Sequence, residues 1–311
     1  MKKNLFLRSL WMLCVVTLFY TQIGYTKCVN ARIKYDSCRY CACEDSQRTE
    51  MQTDKAILVV SFGTSHADTR KLTIDACINK IKDNFEEYEI RKAFTSNIII
   101  KILKNRDNIE IDTVEKALQK LKDEKFNEVI VQPLHIINGK EYHDIIETTA
   151  KFKDAFVKIE VGSPLLTSIE DYKAVAYALK KQTPILKENE AVVFMGHGTH
   201  HFANASYACL ERIFETEKMQ NFFIGTVEGF PEISHVMDRL KSQGVDKVIL
   251  MPLMLVAGDH AKNDMAGDEE DSWKSVIEKE NIEVEIYLHG LGENPAIQEL
   301  YVQHVNNIIE K

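Results

Sequence analysis

From Lys55 onward, short apolar runs alternate with stretches of helical spacing. Ala56–Phe62 (AILVVSF) is a nearly unbroken apolar run that ends in Gly63-Thr64-Ser65. Tyr88–Phe94, Glu128–Ile137 and Val157–Leu166 are further runs of strand type. Between and after them, Asp68–Phe85, Asn97–Lys104, Thr113–Glu124, Glu141–Phe156 and Ile169–Lys181 space their apolar residues as amphipathic helices do. Gln182–Glu190, with Pro184 and mixed charges, reads as a linker. The rhythm then starts again. Ala191–Met195, Phe222–Val227, Lys247–Leu255 and Val284–Leu288 are strands, and Ala203–Thr216, Glu232–Gln243, Ser272–Glu280 and Pro295–Glu310 are helices. Apolar runs without polar alternation are strands buried on both faces. Their alternation with helices predicts parallel sheets covered by helices.

The halves share more than rhythm. VVSFGTSHA at 59–67 resembles VVFMGHGTHHF at 192–202, with Gly63 opposite Gly198 and Thr64 opposite Thr199. EVIVQPLHIINGKEY at 128–142 resembles KVILMPLMLVAGDHA at 247–261, which sets Pro133 against Pro252, Gly139 against Gly258 and Glu141 against His260. Repetition on this scale marks a duplicated unit. The predicted fold is α/β: two duplicated Rossmann-like lobes, each a parallel four-stranded sheet flanked by helices. A cleft lies between them, and the strand carboxyl ends point into it. The predicted boundaries are 52–183 for the first lobe and 184–311 for the second.

Composition adds exclusions. The chain has 311 residues, 45% hydrophobic, with a formal net charge of −8. An acidic chain without a basic, aromatic-interleaved stripe is not expected to bind nucleic acid. Lys2, Lys3 and Arg8 precede the apolar stretch Leu10–Tyr20, the layout of a signal peptide over residues 1–26. An exported, periplasmic protein is therefore expected; translation from Met51 is the cytoplasmic alternative. In the 27–51 segment, Cys28, Cys38, Cys41 and Cys43 suit disulfides in an exported chain or a thiolate metal site. Both readings stand.

The candidate chemistry sits at the strand ends of the second lobe. His197 lies between Gly196 and Gly198 after its first strand, Glu228 follows the second, and His260 follows the third. Two imidazoles and a carboxylate at neighbouring carboxyl ends would form a site for a divalent first-row metal. In the competing reading, Glu228 caps the next helix and His260 bonds a loop carbonyl.

From about Lys55 to the C-terminus the chain resembles the anaerobic sirohydrochlorin cobaltochelatases, class II tetrapyrrole metal chelatases with a ferrochelatase-like fold. The resemblance is carried by ILVVSFGTS, AFTS (93–96), LHIINGKEY, VVFMGHG, MPLMLVAGDHAKNDMAGDEEDSW and GLGENPAIQ. It implies a lyase that inserts Co²⁺ into sirohydrochlorin during cobalamin synthesis. His197, Glu228 and His260 would then hold the metal, and His197 would act as the base that removes pyrrole protons. It also implies that Glu141 faces the macrocycle from the other lobe. His135, Ser61 and Thr64 are further substrate-contact candidates, and Arg91, with Lys92 and Lys140, is a candidate to balance substrate carboxylates. Two histidines and a glutamate accept Fe²⁺, Ni²⁺ and Zn²⁺ as well as Co²⁺. An exported location leaves a tetrapyrrole or metal carrier, or an iron-tetrapyrrole chelatase, as the alternative. The expected partners are the tetrapyrrole, the divalent metal and further copies of the chain in a homo-oligomer.

Overall fold

The structure, a computed structural model, describes residues 54–310. The predicted signal peptide and Cys28, Cys38, Cys41 and Cys43 lie outside the described residues. In the first lobe, chain order runs β1 (Lys55–Ser61), α1 (Ala67–Leu72), α2 (Ile74–Asn84), β2 (Glu89–Phe94), α3 (Asn97–Asp107) and β3 (Asp112–Thr113), then α4 (Val114–Asp123), β4 (Glu128–Pro133), α5 (Lys140–Ala150), β5 (Lys158–Val161) and α6 (Ile169–Gln182). The second runs β6 (Glu190–Gly196), α7 (Ala205–Thr216), β7 (Phe222–Thr226), α8 (Ile233–Ser242), β8 (Lys247–Pro252), α9 (Trp273–Glu278), β9 (Glu283–Ile286) and α10 (Pro295–Ile309). The described residues form one compact unit.

Both sheets are wholly parallel, with strand orders β3-β2-β1-β4-β5 and β7-β6-β8-β9. The first strand of each lobe is central and almost completely buried, as its apolar run requires. The first sheet carries a fifth strand beyond the predicted four, the two-residue β3 at its edge. Such a stub has no hydrophobic signature, and Thr113 also caps α4 by accepting the Lys116 N–H.

The duplication is visible in individual hydrogen bonds. Leu134 N–H donates to Val60 O at 2.7 Å, and Leu253 N–H to Met195 O at 2.7 Å. Leu165 and Leu166 donate to His135 and Ile136, as Leu291 and Gly292 do to Met254 and Leu255. Gly63 and Gly198, at equivalent turns, have φ of +96° and +80°.

Three predicted elements change length for local reasons. The helix expected over Asp68–Phe85 breaks at Thr73, whose hydroxyl donates to Thr69 O at 2.6 Å. Such back-bonding bends helices. The strand expected to reach Ile137 stops at Pro133, which has no N–H to continue the ladder. The closing helix α10 belongs to the second lobe by sequence but packs against α2, α6 and β4 of the first. It begins with Pro295 after the Asn294 cap and buries Ile297, Leu300, Tyr301, Val302, Val305 and Ile308. The Tyr301 hydroxyl donates to Leu134 O at 3.0 Å.

Candidate active site

The site starts from a glycine. Gly198 takes a left-handed φ, and a Cβ there would lie 2.7 Å from the Glu228 carbonyl. With glycine, the turn after β6 packs directly on the turn after β7, and Glu228 N–H donates to His197 O at 2.7 Å. Gly196 serves a second close approach, because a Cβ there would strike the Tyr207 ring at 2.5 Å. The Tyr207 hydroxyl in turn accepts the Gly198 N–H, and burial raises its pKa.

His197 and His260 lie side by side. Their ring centroids are 4.8 Å apart and nearly perpendicular. His197 Nδ1 lies 2.9 Å from Gly198 O. A carbonyl oxygen only accepts, so Nδ1 carries the proton and Nε2 keeps its lone pair. His260 Nδ1 bonds the Asp264 carboxylate, which assigns the same tautomer. A carboxylate behind an imidazole is the usual support of a metal-binding histidine. Asp264 reaches back because a single π-helical turn, Ala261–Met265, follows His260. The bland reading of His260, a bond to a loop carbonyl, is replaced by this carboxylate. Glu228 is exposed on the adjoining turn. It neither caps α8 through its side chain nor closes a preformed ligand set: Glu232 occupies the cap position. Among the described residues, no three His, Cys, Asp or Glu side chains are gathered into a metal cluster.

The first lobe faces this loop system. Glu141 lies in the first turn of α5. His143, two residues on, stacks edge-on against His201 of the second lobe at 4.9 Å, with Phe202 at 5.9 Å. On the other flank, His66 Nε2 lies 2.9 Å from Asp259. Phe62, Phe202 and Phe230, on the turns after β1, β6 and β7, are large apolar side chains left exposed. The sequence reading passed over Phe62 and His143. The signal was present, since Phe62 aligns with His197 in the repeat and His143 with Lys262.

The remaining substrate candidates divide. Ser61 and His135 lie at strand ends, but Ser61 Oγ and both His135 ring nitrogens are shielded from solvent and unpartnered within the protein. Burial pushes the His135 pKa down to about 4, so the ring is neutral. Thr64 is buried, with its hydroxyl accepting the His66 N–H. Arg91 is a correction. It lies mid-strand in β2, pairing with Leu58, and its guanidinium is held by Glu89 at 2.9 Å and Glu124 at 2.7 Å. A strand-interior position with two carboxylate partners leaves no free fork for a substrate carboxylate. Lys92 and Lys140 are likewise paired, with Asp75 and Asp144.

The sequence profile of the family described as cobalt chelatase (CbiK) matches residues 55–310. The chain is 45% identical over 255 residues to the sirohydrochlorin cobaltochelatase of Salmonella typhimurium, covering 82% of this chain and 96% of that protein. It is 36% identical over 256 residues to the sirohydrochlorin cobaltochelatase CbiKC of Nitratidesulfovibrio vulgaris, covering 81% of this chain and 90% of that one. Among solved structures, SirB from Bacillus subtilis with Fe³⁺ is similar in fold, with a TM-score of 0.56 at 16% identity over 81% of this chain and 94% of that chain.

Proposed function

The chain belongs to the cobalt chelatase (CbiK) family, and from that premise we propose that it inserts Co²⁺ into sirohydrochlorin. One observation carries the mechanism: two imidazoles 4.8 Å apart, each with Nδ1 tied to an acceptor and Nε2 open, on the segments that follow the adjacent strands β6 and β8. Insertion strips water from the metal and two protons from pyrrole nitrogens. An open Nε2 lone pair can do either, as ligand or as proton acceptor. In this reading His197 and His260 receive the substrate metal, joined by Glu228 from the turn bonded to His197. His197 then takes a pyrrole proton as the metal passes to the ring. Sequential roles for one nitrogen are compatible, because releasing the metal restores the lone pair that accepts the proton. In the same reading Phe62, an exposed aromatic ring, and Glu141, in the first turn of α5, face the flat macrocycle from the first lobe. The charge balance first assigned to Arg91 is left to groups outside that ion pair.

The test is an anaerobic assay of the purified chain with sirohydrochlorin and Co²⁺, followed by the absorption change of the macrocycle. Metallated product should exceed the amount of protein many-fold. Product that stops at one equivalent would identify a carrier instead. Fe²⁺, Ni²⁺ and Zn²⁺ run in parallel define the metal range. The expected export of the chain is part of this proposal, and N-terminal sequencing of protein recovered from its native cells checks it.

A further inference from the structure

His66 belongs to the first lobe, yet its imidazole lies among residues that flank a metal-site histidine of the second. Nε2 is 2.9 Å from Asp259 Oδ1, and Nδ1 is 3.5 Å from Lys262 Nζ. Asp259 immediately precedes His260, and Lys262 follows it by two. One neutral imidazole satisfies both neighbours, with Nε2–H donating to the carboxylate and the Nδ1 lone pair accepting from the ammonium. We propose that His66 is a positioning residue: it reaches from the first lobe to hold the 259–262 segment, so that the first lobe sets the orientation of the His260 ring. This rests on the chelatase reading above.

The two sides of the contact differ in stiffness. The turn that carries His66 is pinned from within its own lobe. Thr64 O accepts from Arg70 at 3.4 Å, Ser65 O accepts from Arg106, and Thr64 Oγ1 accepts the His66 N–H at 3.2 Å. The segment around His260 is a single π-helical turn of five residues. π-Turns are short, uncommon and frequent at functional sites. Such a turn next to a ligand gains definition from a rigid post on the facing lobe.

The internal repeat sharpens the assignment. His66 and His201 each stand three residues after the equivalent glycines Gly63 and Gly198. Lys262 and His143 each stand four after Gly258 and Gly139, and both donate their N–H to that glycine's carbonyl. The two contacts between the lobes, His66 with Lys262 and His201 with His143, are therefore one contact made twice. Over the first lobe it is a ring-on-ring contact. Beside the metal loop it is made of a carboxylate, an imidazole and an ammonium.

The experiment titrates Co²⁺ into the full chain and into H66A, H66Q, D259A and H66A/D259A, reading the visible ligand-field absorption of bound Co²⁺. Steady-state kinetics at varied metal and varied tetrapyrrole run alongside. H66A should bind Co²⁺ about 10-fold more weakly, the low end of what outer-shell partners cost. Its ligand-field spectrum should change, and its KM for the metal should rise while kcat and the KM for the tetrapyrrole stay near wild type. H66Q, whose amide offers the same donor and acceptor, should recover most of the affinity. H66A/D259A should be no worse than H66A, because both changes remove one interaction. Asp259 is exposed, and exposed pairs add little to folding stability, so the variants stay folded. Unchanged Co²⁺ binding in H66A, equal losses in H66A and H66Q, or additive losses in the double variant would overturn the role of His66 alone. A wild-type chain that bound no Co²⁺ would overturn the chelatase reading, and this role with it.

Discussion

The two lobes set different side chains on equivalent strand-end turns. The hydrogen bond that places Glu228 on His197, Glu228 N–H to His197 O at 2.7 Å, has its counterpart in Ser96 N–H to Phe62 O at 3.3 Å. Through the repeat, His197, Glu228 and His260 of the second lobe correspond to Phe62, Ser96 and Glu141 of the first. Where the second lobe presents two imidazoles and a carboxylate, the first presents an exposed aromatic ring, a helix cap and a carboxylate in a helical first turn. The strand-end turns are thus a common frame, and three differences on it separate the proposed metal face from the proposed macrocycle face. The helix that follows also differs. After Gly139 the chain enters the regular helix α5, whereas after Gly258 it makes the π-turn that brings Asp264 behind His260.

The sharpest break of this comparison is to empty the metal face. His197→Ala should lower turnover by ~10²–10⁴-fold, the usual cost of losing a general acid–base group, with no recovery in excess Co²⁺. His260→Ala should lose metal affinity and regain part of its rate as Co²⁺ is raised. Insertion kinetics at saturating and limiting metal separate the two, and full recovery of His197→Ala would confine that residue to metal binding.

A second test equalises the lobes at a half-buried residue whose two ring nitrogens are shielded from solvent. His135 of the first lobe corresponds to Met254 of the second. Its pKa is held at about 4, against 6.5 for an ordinary histidine. Below pH 6.5 the unfolded chain binds a proton at this residue that the folded chain refuses. The neutral burial is therefore harmless above pH 6.5, and stability falls as the pH drops towards 4. The loss is about 3 kcal/mol, at ~1.4 kcal/mol per pK unit. His135→Met should remove that part of the acid destabilisation. Urea unfolding of both proteins at pH 7 and pH 4.5 measures it, and an unchanged acid slope in the variant would refute it.

The smallest expected effect lies on the macrocycle face. Phe62→Ala should raise the KM for sirohydrochlorin about 3- to 10-fold, in line with ~0.5–1.5 kcal/mol for an aromatic stacking partner. Co²⁺ affinity should not move. A variant that bound Co²⁺ more weakly would show that the two faces are not chemically separate.

The alternation of unbroken apolar runs with amphipathic stretches made the sheets and their parallel sense legible, because parallel strands are buried on both faces. The repeat was legible from Gly63 and Gly198 and from Pro133 and Pro252, residues with backbone demands that few others meet. His197 and His260 could be found because glycines opened the chain around them. Arg91 could not be placed by the same reasoning. Its charge is visible in the sequence, but Glu124, which neutralises it, is 33 residues away and arrives only through tertiary folding. His66 and its second-lobe partner are 193 residues apart and follow no spacing rule; comparing the two lobes position by position would have raised it. The break at Thr73 rests on one side-chain hydrogen bond and the stub β3 on two backbone-paired residues, and periodicity encodes neither.

The placement of α10 has a consequence for how the chain is made. The final 15-residue helix fills the core of the lobe synthesised first, giving Leu134 O its bond from Tyr301 and Asp171 its buried partner His304. On the ribosome, that lobe stays unfinished through the whole synthesis of the second. Its first sheet is complete as sequence by Val161, while the apolar surface meant for Ile297, Leu300 and Val305 waits uncovered. The ordinary order, in which an amino-terminal unit folds before the next one emerges, is closed to this chain. The first lobe can complete its core only after residues 295–309 have been synthesised.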